Sequence, residues 1–288
     1  MLNIIVAPAE INKSAEAIVK RIVKLLKAEQ VEYSVYFSKS LEELKSSALE
    51  LASLNETEFA IVGGDMVIHE FLNTVKDVSK LKLGIIPTGE DDDFANYIGI
   101  PKNPQQAINT IIRGKLTSVD YLIVNDMIAI NNITIGASAD IYETFTQYKI
   151  KNSLSYKFAI MKHASSFNFI ELSIDTKSGK PKKEEVFEMV ISNCGIRNGV
   201  VISPLANPKD GLLNLSYASA LDKQFKAKYL LNYGKDKEIY NSNTKQQWLK
   251  SVKLTNSNNA IKAIIDGKIL TLNNLNISVA ENGLKIFN

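Results

Sequence analysis

Four stretches of the 288-residue chain carry side chains whose types and spacing suit chemistry. Val62-Gly63-Gly64-Asp65-Met66-Val67 joins an apolar run to a helical pattern that includes His69, Glu70 and Asn73. Adjacent glycines let a backbone approach a ligand closely, and the amides at a helix start attract an anion. Asp65 reads either as a site carboxylate or as the N-cap of that helix. Gly84 to Asn96 sets Pro87-Thr88-Gly89 before Glu90-Asp91-Asp92-Asp93. Such a carboxylate run suits a hard cation, or else opens a helix whose dipole favours acid by about 0.3–1 kcal/mol per charge. Ser203 to Leu215 contains Lys209-Asp210-Gly211-Leu212, and Asp266-Gly267 lies between two β-rich runs. Both read as turns, and a carboxylate at Asp266 can also take a proton from a hydroxyl within reach. His69 reads as an exposed or half-buried helical residue, and Cys194 and Trp248 as packing.

The elements that position these residues change character along the chain. Leu2–Pro8, Val31–Phe37, Phe59–Val62 and Leu83–Pro87 read as strands. Helical spacing separates them: Ile18, Ile22, Leu25 and Leu26, then a capping box at Ser40-Leu41-Glu42-Glu43, then Ile68, Phe71, Leu72 and Val75. Asn12 or Ser14 is the expected cap of the first helix, and Asn103-Pro104 opens one that runs to Gly114. Alternating strands and helices predict an α/β domain with an open parallel sheet over residues 1–123, whose ligands sit at the carboxyl ends of the strands. From 124 to 288 short strands crowd together: 127–135, 170–174, 186–192, 212–218, 252–255, 260–265, 275–279 and 284–287. A helix is expected over Lys223–Tyr233. This pattern predicts a β-rich, sandwich-like second domain.

Composition limits the functions to consider. With 34 Lys+Arg against 31 Asp+Glu the formal charge is +3, which speaks against an obligate nucleic-acid binder. One cysteine and two histidines exclude a disulfide framework and disfavour structural zinc. No apolar run reaches eighteen residues, and the first residues lack the pattern of a secretion signal, so a cytoplasmic protein is expected. The Lys177–Lys183 turn could touch an anionic bilayer at about 1 kcal/mol per basic residue near the surface, and so could Lys149, Lys151, Lys157 and Lys162. Solvated positions are the plainer reading of both groups.

Taken together, the motifs resemble the diacylglycerol kinase and sphingosine kinase family, including its soluble bacterial lipid kinases. The pieces are GGDMV with His69-Glu70, GIIPTGEDDDFAN, PLANPKDGLLN and Asp266-Gly267-Lys268. Ser138-Ala139-Asp140, Ser155-Tyr156 and Ser192-Asn193 fall where further family elements lie. The resemblance implies transfer of a phosphoryl group from ATP to a lipid hydroxyl such as that of diacylglycerol, with Mg²⁺. It places Asp65 and Asp266 as catalytic residues, Asp266 being the proton acceptor. Gly63, Gly64, Asp65, Glu70, Gly89 and Asp93 would surround the nucleotide. Asp210, with the carbonyl of Leu212, would hold a magnesium ion. A lipid partner and peripheral membrane contact are implied, as is an end of the chain that can pack back toward the first domain, and oligomeric state is left open.

The departures from the family pattern predict weakened ATP binding. Met66 and Val67 stand where the family has glycine and threonine. Glu90-Asp91-Asp92 replaces neutral loop residues, and Ala7 to Lys13 lacks the usual glycines. A left-handed backbone at Met66 would cost about 1–2 kcal/mol. Each carboxylate about 6 Å from a phosphate charge would repel it by roughly 3 kcal/mol at an effective dielectric near 20. The alternative is a catalytically degenerate homologue that binds a lipid, a metal ion or a partner protein.

Overall fold

The structure is a computed structural model that describes residues 1–8, 15–89, 92–150, 153–163, 169–197, 199–219, 244–256 and 260–288. The chain divides into two units. Unit 1 comprises Met1–Tyr121, Pro208–Gly211 and Ala280–Asn288, and unit 2 comprises Leu122–Asn207 and Leu212–Val279. The expected caps Asn12 and Ser14 and the expected helix over Lys223–Tyr233 lie outside the described residues.

Unit 1 runs β1 (Leu2–Val6), α1 (Ala15–Ala28), β2 (Tyr33–Phe37), α2 (Leu41–Ser53), β3 (Glu58–Gly63), α3 (Asp65–Val75), β4 (Lys82–Pro87), α4 (Asp93–Tyr97), α5 (Pro104–Arg113) and the start of β5 (Leu116–Val124). Strands β4, β3, β1 and β2 pair in that order, all parallel. Helices cover both faces of such a sheet, so its central strands are largely apolar, and β1 is buried at every residue, the polar Asn3 included. Phe59 of β3 packs on Phe71 of α3 with ring centroids 5.1 Å apart. The predicted caps form. The Ser40 hydroxyl accepts from Glu43 N at 3.2 Å, while the Glu43 carboxylate accepts from Lys39 N at 2.6 Å, one residue earlier than a standard box. The Asn103 side chain accepts from Gln105 N and Gln106 N, and Gly114 closes α5 at φ 70°.

Unit 2 contains β6 (Met127–Ala129), β7 (Asn132–Gly136), α6 (Ala137–Thr146), α7 (Ser153–His163), β8 (Ile170–Asp175), β9 (Lys182–Ser192), β10 (Ile196–Arg197), β11 (Val200–Val201), β12 (Leu213–Ser219), β13 (Thr244–Leu249), β14 (Ser251–Thr255), β15 (Ile261–Ile265), β16 (Lys268–Leu272) and the first part of β17 (Asn274–Phe287). Antiparallel pairing runs β16-β15-β7-β9-β8-β14-β17. β9 organises this unit: residues 182–186 pair with β8, residues 188–192 pair with β7, and β12 takes residues 186–192. Leu122, Ile133, Leu172, Met189, Leu215, Val252 and Leu275 share one buried cluster. Helices α6 and α7 bury Ile141, Ala159 and Ile160 with Phe187.

Several elements depart from the sequence reading; the 127–135 run, for one, is divided into β6 and β7. The runs 275–279 and 284–287, expected as separate strands, form one 14-residue strand, β17. The polar Glu281-Asn282-Gly283 segment looks like a break. It continues because Asn282 N donates to Asp120 at 2.7 Å and Gly283 lies against Tyr121, where an added Cβ would come within 2.3 Å of the ring. Helices α6 and α7 were not expected, because each presents apolar residues on more than one face and shows no single helical stripe.

Asp120 of β5 is the anchor of unit 1's discontinuous parts. It is fully buried, and it accepts from Gly211 N at 2.8 Å as well as from Asn282 N. Asp120 N donates to Pro208 O at 2.7 Å. Removing a buried acceptor leaves donors unsatisfied, which costs about 1–3 kcal/mol per group. Asp120→Ala is therefore expected to lower unfolding free energy by about 3 kcal/mol or more in urea denaturation. Asp120→Asn, which keeps one acceptor oxygen, should lose about half as much.

Candidate active site

The first motif lies where β3 passes into α3. Gly64 is the N-cap of α3, with extended backbone and no side-chain bond to offer the helix. Asp65 is therefore the first helical residue and not the cap. Its buried carboxylate accepts from Phe94 N at 3.1 and 3.3 Å, tying the start of α3 to the start of α4. Asp93, also buried, opens α4. The glycines serve close internal contacts. A Cβ on Gly63 would lie 2.9 Å from Val67 Cβ, and one on Gly89 would lie 2.7 Å from Gly64 Cα. Gly63, Gly64, Asp65, Gly89 and Asp93 are thus gathered in one part of unit 1.

The neighbours of this loop correct several expectations. Met66 sits in the first turn of α3 with right-handed helical backbone, so the expected strain does not arise; its side chain is exposed. Val67 is fully buried beneath Gly63. Glu90 and Asp91 lie outside the described residues. Asp92 is the N-cap of α4, but its carboxylate accepts from Gly89 N at 3.1 Å and makes no cap bond. Glu70, one turn into α3, is buried and paired with Lys45 of α2 at 2.8 Å. His69 is buried too, not exposed or half-buried, because α3 is enclosed on nearly every side.

The remaining candidates lie elsewhere. Asp210 is exposed, in the 208–211 segment of unit 1, and Leu212 is the next residue but one, counted with unit 2. Asn214 is buried and its side-chain oxygen accepts from the Ser203 hydroxyl at 2.7 Å. Asp266, in unit 2, forms the β15–β16 turn with Gly267, at φ 46° and 85°. Its carboxylate accepts from Ile130 N at 2.7 Å, Asn131 N at 2.8 Å and Asn132 N at 3.2 Å. Among the described residues no three His, Cys, Asp or Glu side chains converge into a metal-binding group.

The sequence reading passed over one acid in each unit, Asp120 and Glu188. Each interrupts an apolar strand pattern, and that interruption was the available signal. Glu188 of β9 is buried and accepts from Ser138 N, at the start of α6, at 2.9 Å. Burial pushes its carboxyl up to about 7, against the opposing pull of the Arg197 charge and of Ser138, with Asp140 adding to the rise. Between pH 4.5 and about 7 the folded chain keeps a proton that the unfolded chain has released. Stability therefore falls as pH rises through that window. The wild type should lose about 2–3 kcal/mol relative to Glu188→Gln between pH 5 and 8. Thermal or urea unfolding at a series of pH values measures the difference; parallel profiles would show that Glu188 ionises normally.

Comparison with known proteins matches this arrangement. The model described as diacylglycerol kinase catalytic domain matches residues 2–124, and the model described as YegS C-terminal NAD kinase beta sandwich-like domain matches residues 131–288. A Staphylococcus aureus (strain bovine RF122 / ET3-1) protein named "Putative lipid kinase" is 27% identical over 239 residues, covering 78% of this chain and 75% of that one. A Staphylococcus carnosus protein of the same name is 25% identical over 160 residues, and this chain spans about half its length, 52%. The crystal structure of a diacylglycerol kinase from Bacillus anthracis superposes with a TM-score of 0.75 at 18% identity, covering 99% and 96% of the two chains. An NAD kinase from Archaeoglobus fulgidus gives 0.57 at 14%, covering 100% and 94%. At such identities the structures establish the fold alone, an α/β domain followed by a β-rich one. The chain belongs to the family in which a diacylglycerol kinase catalytic domain is followed by a YegS C-terminal NAD kinase beta sandwich-like domain.

Proposed function

We propose that this protein is a lipid kinase of the diacylglycerol kinase type that holds ATP weakly. It would transfer a phosphoryl group to a lipid hydroxyl, with diacylglycerol as the acceptor class. The observation that carries the reading is the buried Asp65 carboxylate, beside the Gly63-Gly64 pair and fixed on the amide of Phe94, the residue that follows buried Asp93. Family membership across both domains supports it. In such chemistry ATP supplies the phosphoryl group and magnesium offsets its charge. Asp65 would position the metal or phosphate, and Asp266 would accept the hydroxyl proton. Asp210, a single exposed carboxylate, suits magnesium, which keeps several waters and takes one or two carboxylates from protein.

The weakness has a physical cause in unit 1. Gly89 N, an amide of the kind that cradles phosphate, already donates to Asp92. Phe94 N, at the start of α4, already donates to Asp65. A phosphate using either would displace a carboxylate and then be repelled by it. Val67 fills the space that Gly63 leaves open. The same contacts favour a second reading, a degenerate homologue that binds lipid, metal or protein without catalysis. The three amides on Asp266 add to that case, since they commit its carboxylate to holding the 130–132 segment.

Mg-ATP titration by calorimetry should give a dissociation constant in the millimolar range. Combining Met66→Gly, Val67→Thr and Asp92→Asn should tighten it by about tenfold or more, one carboxylate repulsion being worth at least that much. Micromolar affinity in the wild type, or no gain in the triple variant, would show that the loop is not what limits ATP binding. Phosphorylation of diacylglycerol in detergent micelles should be measurable at millimolar ATP with excess Mg²⁺ and lost in Asp65→Asn. Absence of transfer by the wild type under those conditions sinks the kinase reading and leaves the degenerate one.

A further inference from the structure

Strand β2 is an edge of the parallel sheet of unit 1, and among the described residues it pairs with β1 alone. Its register decides which of its backbone groups are already used. Leu2 N donates to Glu32 O, and along a strand the residues that bond to one neighbour alternate. The amides and carbonyls of Ser34 and Tyr36 therefore turn to β1, and those of Tyr33, Val35 and Phe37 turn outward. Such an edge is a template for another strand, and proteins guard it with charge, proline or a bulge. The edge strands β13 and β16 of unit 2 carry Lys245 and Lys268. Strand β2, Tyr33-Ser34-Val35-Tyr36-Phe37, carries neither charge nor proline, and its pairing with β1 runs without a bulge. Its side chains are half-buried except Phe37, which is 52% exposed. Exposed Met1 lies beside it, with its sulfur 3.5 Å from the Ser34 hydroxyl. Charge stands only at the two ends, Glu32 before the strand and Lys39 just after it, both exposed.

We infer that β2 is a dimerisation edge, on which a second copy of this chain adds its own β2, antiparallel, about a two-fold axis at Val35. Hydrogen bonding, side chains and charge all select this occupant. The axis sets Val35 opposite its own counterpart and Tyr33 of each copy opposite Phe37 of the other. Val35 then exchanges both bonds with its counterpart, and Tyr33 exchanges both with Phe37, so every outward group of the strand finds a partner. An axis at Ser34 or Tyr36 would instead oppose groups already bonded to β1. Tyr33, Val35 and Phe37 share one face, because side chains alternate along a strand, so each ring lies across from a ring of the other copy. At each end of the seam Glu32 stands opposite Ser38 and beside Lys39 of the other copy, an acid meeting a base. A parallel seam in register would set Glu32 beside Glu32 and Lys39 beside Lys39. A strand of another protein would find the same amides, but only a second copy brings the matching ends. The inference goes beyond the kinase reading, since it needs only this edge.

Sedimentation velocity of the full chain, free of ATP and lipid, should show a monomer–dimer equilibrium at micromolar concentration. A failure here is therefore distinct from a failure of catalysis. Amide hydrogen exchange should slow at Tyr33, Val35 and Phe37 as concentration rises, whereas Ser34 and Tyr36, bonded to β1, should be slow at every concentration. Val35→Pro, which an edge strand tolerates where the N–H points outward, should weaken the dimer by about tenfold or more. Glu32→Lys, which sets two bases together at each end, should weaken it by about threefold or more. Adding Lys39→Glu should return it to within about twofold of the wild type. Thr271→Lys, on the β16 edge, should leave it within about twofold. Circular dichroism and thermal unfolding of the Glu32 and Lys39 variants should match the wild type, because both side chains are exposed, and these variants decide the matter if Val35→Pro fails to fold. A monomer at every concentration up to about 100 μM would overturn the inference. So would a dimer that folded Val35→Pro leaves unchanged, or a loss in Glu32→Lys that the charge swap does not restore. A chain that stays monomeric while an extended peptide of another protein protects Tyr33, Val35 and Phe37 would overturn it in favour of a foreign partner.

Discussion

A backbone amide outside a helix or sheet ladder needs an acceptor when it is buried. In this chain that acceptor is repeatedly one of its own carboxylates. Asp65 serves Phe94, Asp92 serves Gly89, Asp120 serves Gly211 and Asn282, Glu188 serves Ser138, and Asp266 serves three successive amides. Where the carboxylate is ionised, such charge-assisted bonds are about twice as strong as neutral ones, whereas Glu188, held up to about 7 by burial, keeps its proton below that pH. They hold loops to elements far away in the sequence, 91 residues apart for Asp120 and Gly211 and 136 for Asp266 and Ile130. The arrangement of both units depends on them.

That solution constrains function. An anion-binding loop works by keeping amides ready for a ligand, whereas a loop stabilised by its own acids has already used them. The glycines tell the same story. They permit close approach, and what approaches Gly63 is Val67, and what approaches Gly89 is Gly64. The family's framework persists, and in unit 1 the amides of Gly89 and Phe94 are bonded to the chain's own carboxylates.

Local patterns announced themselves in the sequence, and long-range ones did not. The α2 and α5 caps were legible because a Ser or Asn and its partners lie within four residues. The apolar runs of β1, β3 and β4 were legible because both faces of a parallel strand are buried. The continuity of β17 was hidden, because what carries it past Asn282 is an aspartate 162 residues away. Helix α7 was hidden for a different reason: one face is apolar for packing and the other is apolar and exposed, so no polar face reveals the period. At the site, the motif located Asp65 and Gly89 but could not say which amide each acid would take. Glu188 stood out only as a lone charge in Val186–Ile191, and its partner at Ser138 comes from another element.

The three-part make-up of unit 1 bears on how the protein is made. Its parallel sheet is continued beyond β4 by the end of β17, where Lys285 pairs with Lys82 and Ile286 with Leu83. During synthesis β1 to β4 emerge first, and the strand that covers β4 arrives only after some two hundred further residues. Over that interval β4 presents an open edge, the kind of template on which stray strands assemble. A nascent chain of this design has reason to fold its first layer late, or to keep it guarded by a chaperone until the final strand reaches its place.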